Sequence, residues 1–418
     1  NLQYRLNMFK RTTAFLVLAS FLCPPFLAHA ETLPASSGHG LDSMAPAGRW
    51  AVRLEVRTNG YDQWYDDNGA RHAFNAAFDS VALDGTVCPA LALLGPTATL
   101  GTTTLASRAE LDATQLILGY GLSDDLTAGL ILPYVTTRSR IDFSVSGGNT
   151  GFNPAFDPAQ PISAGNFPFA PVGGGASAPL DTAGMQQVLS NPAFGYGYAP
   201  VQSTTTQGWA DPTLGLLWRY HKDERSSALF AMGMRFGVAK GDDPDNLTDI
   251  PIGDGSNDIR LRLEYFRDLG GDFDLRLLAE HFIQLADHAD MRVLQPGQLL
   301  APASSKERLK RDLGDYQEYD IELGHHWDAW RASATWHLYT KAADRYRSDL
   351  GTDTRALEAN TQVRADQWRA SLSWSGIDAW REGRLFMPLI VKFEMQETYG
   401  GRNFPKVRDY YLQVTSFF

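Results

Sequence analysis

The segment Phe230-Ala-Met-Gly-Met-Arg-Phe-Gly-Val238 sets the strongest constraint on this chain. In an extended chain, successive side chains point to opposite faces. Phe230, Met232, Met234, Phe236 and Val238 then share an oily face, while Ala231, Gly233, Arg235 and Gly237 form a small or charged one. The same period of two recurs in twelve segments. They lie near residues 49–65, 108–122, 126–144, 209–222, 227–240, 257–269, 273–288, 314–326, 330–342, 361–376, 384–398 and 407–418. Beyond residue 30 there is no apolar run of about 18 residues, so no membrane-crossing helix is expected there.

The connections alternate in length. Ser123-Asp124-Asp125, His221 to Arg225, Gly270-Gly271, 327–329 and 377–383 are short, while the joins between them are long. Outer-membrane barrels show this rhythm, with long loops outside and short turns in the periplasm. A soluble jelly roll alternates along its strands too, but has no reason to alternate its loops. The expected fold is all-β: an antiparallel up-and-down transmembrane barrel of about 12 strands over 49–418, in the bacterial outer membrane.

Lipid cannot hydrogen-bond a backbone, so a spanning sheet must close on itself. Its charges must then face the lumen, because Arg or Lys on the lipid face at mid-bilayer costs roughly 2–4 kcal/mol. Several such errors would exceed the ~5–15 kcal/mol by which an ordinary domain is stable. The expected lumen residues are Arg53, Glu55, Arg57, Arg219, Arg235, Arg260, Arg262, Glu264, Arg276, Glu280, Asp320, Glu322, Arg364 and Asp366, joined by Arg331, Lys341, Arg369, Lys392 and Glu394. Roughly eight strands leave room only for side chains, and roughly sixteen leave an aqueous channel. Twelve leaves two readings open, a narrow or partly occluded pore and a barrel blocked by its own side chains or loops.

The first thirty residues read as a secretory signal peptide. Met8 is the expected start, Lys10 and Arg11 the positive region, Ala14 to Leu27 the apolar stretch, and Ala28-His29-Ala30 the cleavage site. Removing Arg5, Lys10 and Arg11 would take the formal net charge from −11 to −14, which argues against a nucleic-acid partner. Residues 31–48 would form a short periplasmic lead. Cys88 would then be the one remaining thiol, which excludes an internal disulfide or a Cys-rich metal site. No cofactor and no metal are expected. His325 and His326 would face opposite ways, which suits one metal ion poorly.

Two loops stand out. Ser146 to Gly208 is rich in Gly, Pro, Ala and Phe, nearly uncharged, and repeats a tetrapeptide as Asn153-Pro-Ala-Phe156 and Asn191-Pro-Ala-Phe194. Loops this long are functional or disordered. The functional reading is a lid or plug that offers Phe152, Phe156, Phe167, Phe169 and Phe194 to a greasy solute; the bland one is a floppy surface loop. The other loop carries Asp242, Asp243, Asp245, Asp249, Asp254 and Asp258. Its spacing fits no EF-hand. A solvated acidic loop is expected, rather than one that shares divalent ions with lipopolysaccharide.

The last strand, Tyr410 to Phe418, ends in an aromatic with Ser416 as its one polar interruption. It resembles the signal read by the barrel-assembly machinery, an expected partner beside lipid, lipopolysaccharide and a small-molecule solute. Trp327, Trp330, Trp336, Trp374 and Trp380 are expected at the headgroup level.

Two motifs carry a family resemblance. Gly121-Leu-Ser-Asp-Asp-Leu-Thr-Ala-Gly-Leu-Ile-Leu-Pro-Tyr-Val135 resembles the GL-TD-LTLGL-IPYV hairpin of the MetA-pathway of phenol degradation family. Gly208-Trp-Ala-Asp-Pro-Thr-Leu-Gly-Leu-Leu-Trp-Arg-Tyr220 resembles its G-GD-TLG-KYR strand. These barrels are distant relatives of the fatty-acid and aromatic-hydrocarbon outer-membrane transporters. The resemblance covers roughly the middle third of the chain. It implies passive uptake of small hydrophobic or aromatic solutes, without naming phenol. The fatty-acid transporters carry an N-terminal hatch with an Asn-Pro-Ala motif; here that motif lies in the long loop. Two other functions suit such a barrel. A structural or adhesive barrel would present its loops over an occluded lumen. A barrel phospholipase would need a His-x-Ser arrangement, and none of the nine histidines is followed two places later by Ser.

Overall fold

The computed structural model describes residues 44–296 and 298–418; the expected signal peptide and most of the lead 31–48 lie outside them. Among the described residues, twelve long antiparallel strands form one closed sheet. They are β1 (Trp50–Tyr61), β2 (Thr99–Ser123), β3 (Leu126–Ser146), β4 (Thr213–Lys222), β5 (Ser226–Arg235) and β6 (Asp258–Gly270). Then come β7 (Phe273–Gln284), β8 (Tyr316–Trp327), β9 (Trp330–Lys341), β10 (Val363–Ser375), β11 (Leu389–Arg402) and β12 (Arg408–Phe417). Each strand pairs with its neighbours in sequence, and β1 also pairs with β12 from Ala51↔Phe417 to Gly60↔Arg408. That last pairing closes the cylinder and removes both sheet edges, as lipid demands.

The expected strands reappear, and the loop rhythm holds except at the end, where the β10–β11 connection spans 376–388 and the β11–β12 loop only 403–407; two strand ends shift informatively. β2 starts at Thr99 rather than near 108, so the β2–β3 hairpin pairs as far as Thr102↔Ser146 and stands above the rest of the wall. β5 stops at Arg235 rather than near 240. Backbone crowding explains the stop: a Cβ on Gly237 would lie 2.2 Å from the Gly255 carbonyl oxygen, so only glycine fits there. The Asp211 carboxylate then accepts the Val238 and Ala239 amides, at 2.9 and 2.8 Å, in place of a ladder.

The outward faces are apolar. Leu54, Leu216, Met232, Leu263, Ile321 and Leu412 are all exposed at mid-strand. Trp50, Trp218, Trp327, Trp330 and Trp374 lie near the short-turn end, where an indole keeps its ring in lipid and its N–H in water. Trp336 sits further up β9 than expected, donating from Nε1 to the Tyr399 hydroxyl (3.1 Å). Trp380 is on a short helix, Ile377–Arg381, in the β10–β11 turn. Ile321→Arg is expected to destabilise the barrel by roughly 2–4 kcal/mol, through a charge on the lipid face. Urea titration of folding into phospholipid vesicles measures this, and a shift near zero would mean that Ile321 does not face lipid.

Candidate functional site

The inward faces of the twelve strands make a lumen with an ion-paired wall, an apolar wall and an aromatic mouth. The ion-paired wall comes first. Arg53, Glu55, Arg57, Arg219, Arg235, Arg260, Arg262, Glu264, Arg276, Glu280, Asp320 and Glu322 are each at most 7% exposed. Low exposure is tolerable because opposite charges meet. Arg57 meets Asp409 at 2.7 Å, and Arg262 meets Glu264 at 2.7 Å. Arg276 bridges Glu264 and Glu322, the latter at 3.1 Å. Arg331 meets Glu322 and Asp274 at 2.6 Å each. Asp320 takes Arg369 at 3.2 Å and His337 at 2.5 Å. Lys392 meets Glu394 at 2.8 Å. Glu55 accepts from Gln413, and Arg53 donates to Thr415. Arg219 lies lower, at the short-turn rim, against Asp125 (2.9 Å).

Arg364 and Asp366 do not belong to this set. Val363, Ala365 and Gln367 are the buried residues of upper β10, so the even-numbered positions must point out. Arg364 is exposed and pairs with Asp366 at 2.8 Å on the outer side. The reason is parity: Arg364 and Arg369 are five residues apart and cannot share a face of a regular strand.

The second wall, from β2 to β5, is mainly apolar between Arg219 at the short-turn rim and Arg235 at the loop end, with Gln115 among its buried polar residues. Ile117, Ile131, Leu217, Leu229 and Ala231 cluster low in the barrel, with Met44 fully buried among them. Ala45 donates its amide to the Thr127 hydroxyl, and Gly48 donates to the Gly121 carbonyl. The end of the lead 31–48 is therefore tucked inside the wall rather than hanging below it. Higher up, Leu111, Ala113 and Val135 continue the apolar surface to Ile252.

The mouth was not foreseen. Tyr61, Phe282, Tyr316, Tyr339 and Phe404 are buried together with Ile250, Val363 and Val407, and Phe74 packs against them. Ring centroids run Phe282–Tyr316 at 4.0 Å, Tyr316–Tyr339 at 5.9 Å and Tyr339–Phe404 at 6.0 Å. The Arg260 guanidinium lies 4.4 Å from the Phe282 centroid and couples this layer to the charges below. A signal was present in the sequence. Phe282 shares a face with Glu280 and Arg276, Tyr316 with Glu318 and Asp320, and Tyr339 with His337. An aromatic at the loop end of three neighbouring polar faces marks a layer.

The acidic loop between β5 and β6 is not the solvated loop expected. Asp254 and Asp258 are buried against Arg235, Asp254 at 2.7 Å. Asp245 binds Arg292 and Lys306, both at 2.7 Å. Ile250 enters the aromatic layer. Arg292 and Lys306 come from a later loop and Arg235 from the lumen face of β5, so composition alone suggests solvation. Burial, helped by the neighbouring Asp243 carboxylate, pushes the Asp249 carboxyl up to about 6. The folded loop thus holds a proton that the unfolded loop releases near the usual Asp value. Its packing is expected to weaken as pH rises from ~4 to ~6, with no further loss above that. A spin label at residue 240 should gain mobility over this range, and Asp249→Asn should flatten the response. An unchanged response in that variant would assign it to another group.

The long loop is a packed unit. Its helix α1 (Thr182–Ser190), N-capped by Asp181, places Met185, Val188 and Leu189 in one core with Leu83 and Leu91 of the first loop and Leu100 of β2. Phe167 and Phe169 are under 10% exposed in this core, so they are not available to a solute as expected. Phe152, Phe156 and Phe194 are half-buried. The repeated tetrapeptide has a structural role. Asn153 and Asn191 each accept the amide two residues on (3.0 Å), making twin turns whose rings, Phe156 and Phe194, stack at 5.9 Å.

The two motifs behind the family resemblance are neighbours in space. Leu126–Ile131 pairs with Thr213–Trp218, and Tyr134 meets Trp209 edge-on at 5.5 Å. No protein-family description matches the chain, and no curated protein does. Among solved structures, an outer-membrane channel from Pseudomonas putida F1 is 11% identical and superimposes with a TM-score of 0.51, over 92% of this chain and 99% of that one. The toluene transporter TbuX of Ralstonia pickettii is 9% identical over 91% of this chain and 92% of that one, with a TM-score of 0.36. The shared fold, the closed twelve-stranded sheet and the apolar outer belt together make this chain a β-barrel of the bacterial outer membrane.

Proposed function

We propose that the barrel is a channel for passive uptake of small hydrophobic or aromatic solutes, closed at rest by the aromatic layer. The observation that carries this reading is that layer, set above a lumen with one apolar wall. A ring of apolar side chains excludes water and ions by dewetting. An aromatic solute can replace ring–ring contacts, worth ~0.5–1.5 kcal/mol each, with contacts of its own. A sugar must instead shed hydrogen bonds, at roughly 2–7 kcal/mol for each polar group left unpaired. Below the mouth, the solute would slide along Leu111, Val135 and Ile131 while the ion pairs opposite stay closed. Membership of the MetA-pathway of phenol degradation family belongs to the same proposal, supported by the pairing of its two motifs.

A second reading is a structural barrel with a permanently filled lumen. The dense ion pairing from Arg57 to Arg276 favours it. Liposome swelling separates the two. Proteoliposomes should swell several-fold faster in a small aromatic alcohol than in a sugar of similar mass. Equal rates with empty liposomes for both solutes, in the native chain and in one lacking residues 242–253, would sink the channel reading.

A further inference from the structure

Above β7 and β8 the chain builds a second sheet from three strands, Asp287–Arg292, Lys306–Asp312 and Arg345–Arg347. One face is turned to the barrel mouth. Leu309 is fully buried there against Val293 and Tyr346, and Arg311 donates to the Asp254 carbonyl at 2.8 Å. The opposite face looks away from the mouth and carries Arg308, Lys310, Arg345 and Arg347, all exposed. The register sets His288, Lys310 and Arg347 in one row across the three strands.

This face differs electrostatically from the lumen. The formal net charge is −11, and the lumen arginines sit against carboxylates. Lys310, Arg345 and Arg347 have no carboxylate within ion-pair distance among the described residues. The anions on the face are Asp290, at 4.0 Å from Arg308, and Asp312 opposite Arg345. Like charges directly across a sheet repel, so the row calls for an external anion.

Position selects the anion. β7 ends at Gln284, and the strand from Asp287 follows it after Leu285 and Ala286, both exposed, which shift the alternation so that His288 and Asp290 lie on the exposed face. His288 and its row lie three residues above Leu285, about 10 Å along the strand at ~3.3 Å per residue, or about 7–8 Å along the membrane normal for a strand tilted by ~40°. That is the headgroup level, since each polar zone adds only ~5–8 Å to the hydrocarbon. We propose that this outward face binds the phosphate groups of anionic glycolipid in the outer leaflet. Arginine forks match phosphate oxygens in pairs, and a row of cations spans neighbouring headgroups.

The test uses the full chain in a neutral detergent. Binding of lipopolysaccharide is compared with that of the same lipid after enzymatic dephosphorylation. The variant is K310Q/R345Q/R347Q, and the control is K222Q/R225Q/R267Q at the short-turn rim. Heat-modifiable gel mobility reports that each barrel is folded. The expected result is a loss of binding on the order of tenfold or more in the variant, a similar loss for dephosphorylated lipid, and native binding in the control. Equal binding by variant and native chain, equal loss in the control, or indifference to dephosphorylation would each overturn the proposal. Full competition by millimolar inorganic phosphate would also overturn it, by reassigning the row to a free anion.

Discussion

Replacing Phe282 and Tyr316 together by alanine is expected to turn a nearly silent barrel into a conducting one, with single-channel conductance up on the order of tenfold or more. These two rings stack at 4.0 Å at the centre of the mouth layer. Their loss breaks the run from Phe282 to Phe404 and uncovers the charged residues beneath, starting with Arg260 and Glu280. Water and ions then reach a polar path from outside. The pair Phe282→Leu and Tyr316→Leu is the informative companion. It keeps the layer apolar while removing the stacking, so it should stay closed to ions. Planar-bilayer recording measures both, and heat-modifiable mobility shows that they fold. A folded alanine double variant that stays silent would move the closure down to the ion pairs.

Arg276→Ala is expected to be the most destabilising single change in the lumen, by roughly 3–5 kcal/mol. Arg276 lies between Glu264 and Glu322, all three at most 3% exposed. Removing it leaves Glu264 with Arg262 alone and Glu322 with Arg331 alone, each one cation short where water cannot replace it. Replacing the triad as Arg276→Met, Glu264→Gln and Glu322→Gln should cost far less, because no buried charge is left unpaired. Urea unfolding in phospholipid vesicles, followed by Trp fluorescence, gives both values. A cost below ~1 kcal/mol for Arg276→Ala would show that water already solvates the lumen, which favours a hydrated pore over a packed one.

The wall of the barrel was legible because its physics is local. An alternating strand such as Phe230–Arg235 states by itself which side meets lipid, and short turns such as Asp124-Asp125 state where the chain reverses. The charges followed from parity alone, and parity also exposes the error at Arg364 and Asp366. What could not be read was anything that depends on partners far apart in the chain. Asp254 looked solvated until Arg235 and Arg311 were beside it. Phe167 and Phe169 looked like solute contacts until α1 and the first loop covered them.

The sequence by itself determined a closed antiparallel barrel and the sorting of charge from apolar surface, because lipid leaves a spanning sheet no other arrangement. The tertiary structure alone decided which charges pair across the lumen, which rings meet at its mouth, and which loops pack against them. Those outcomes depend on side chains from non-adjacent strands meeting across the barrel. Phe282, Tyr316, Tyr339 and Phe404 become one layer only when the register of four strands brings their rings to the same height.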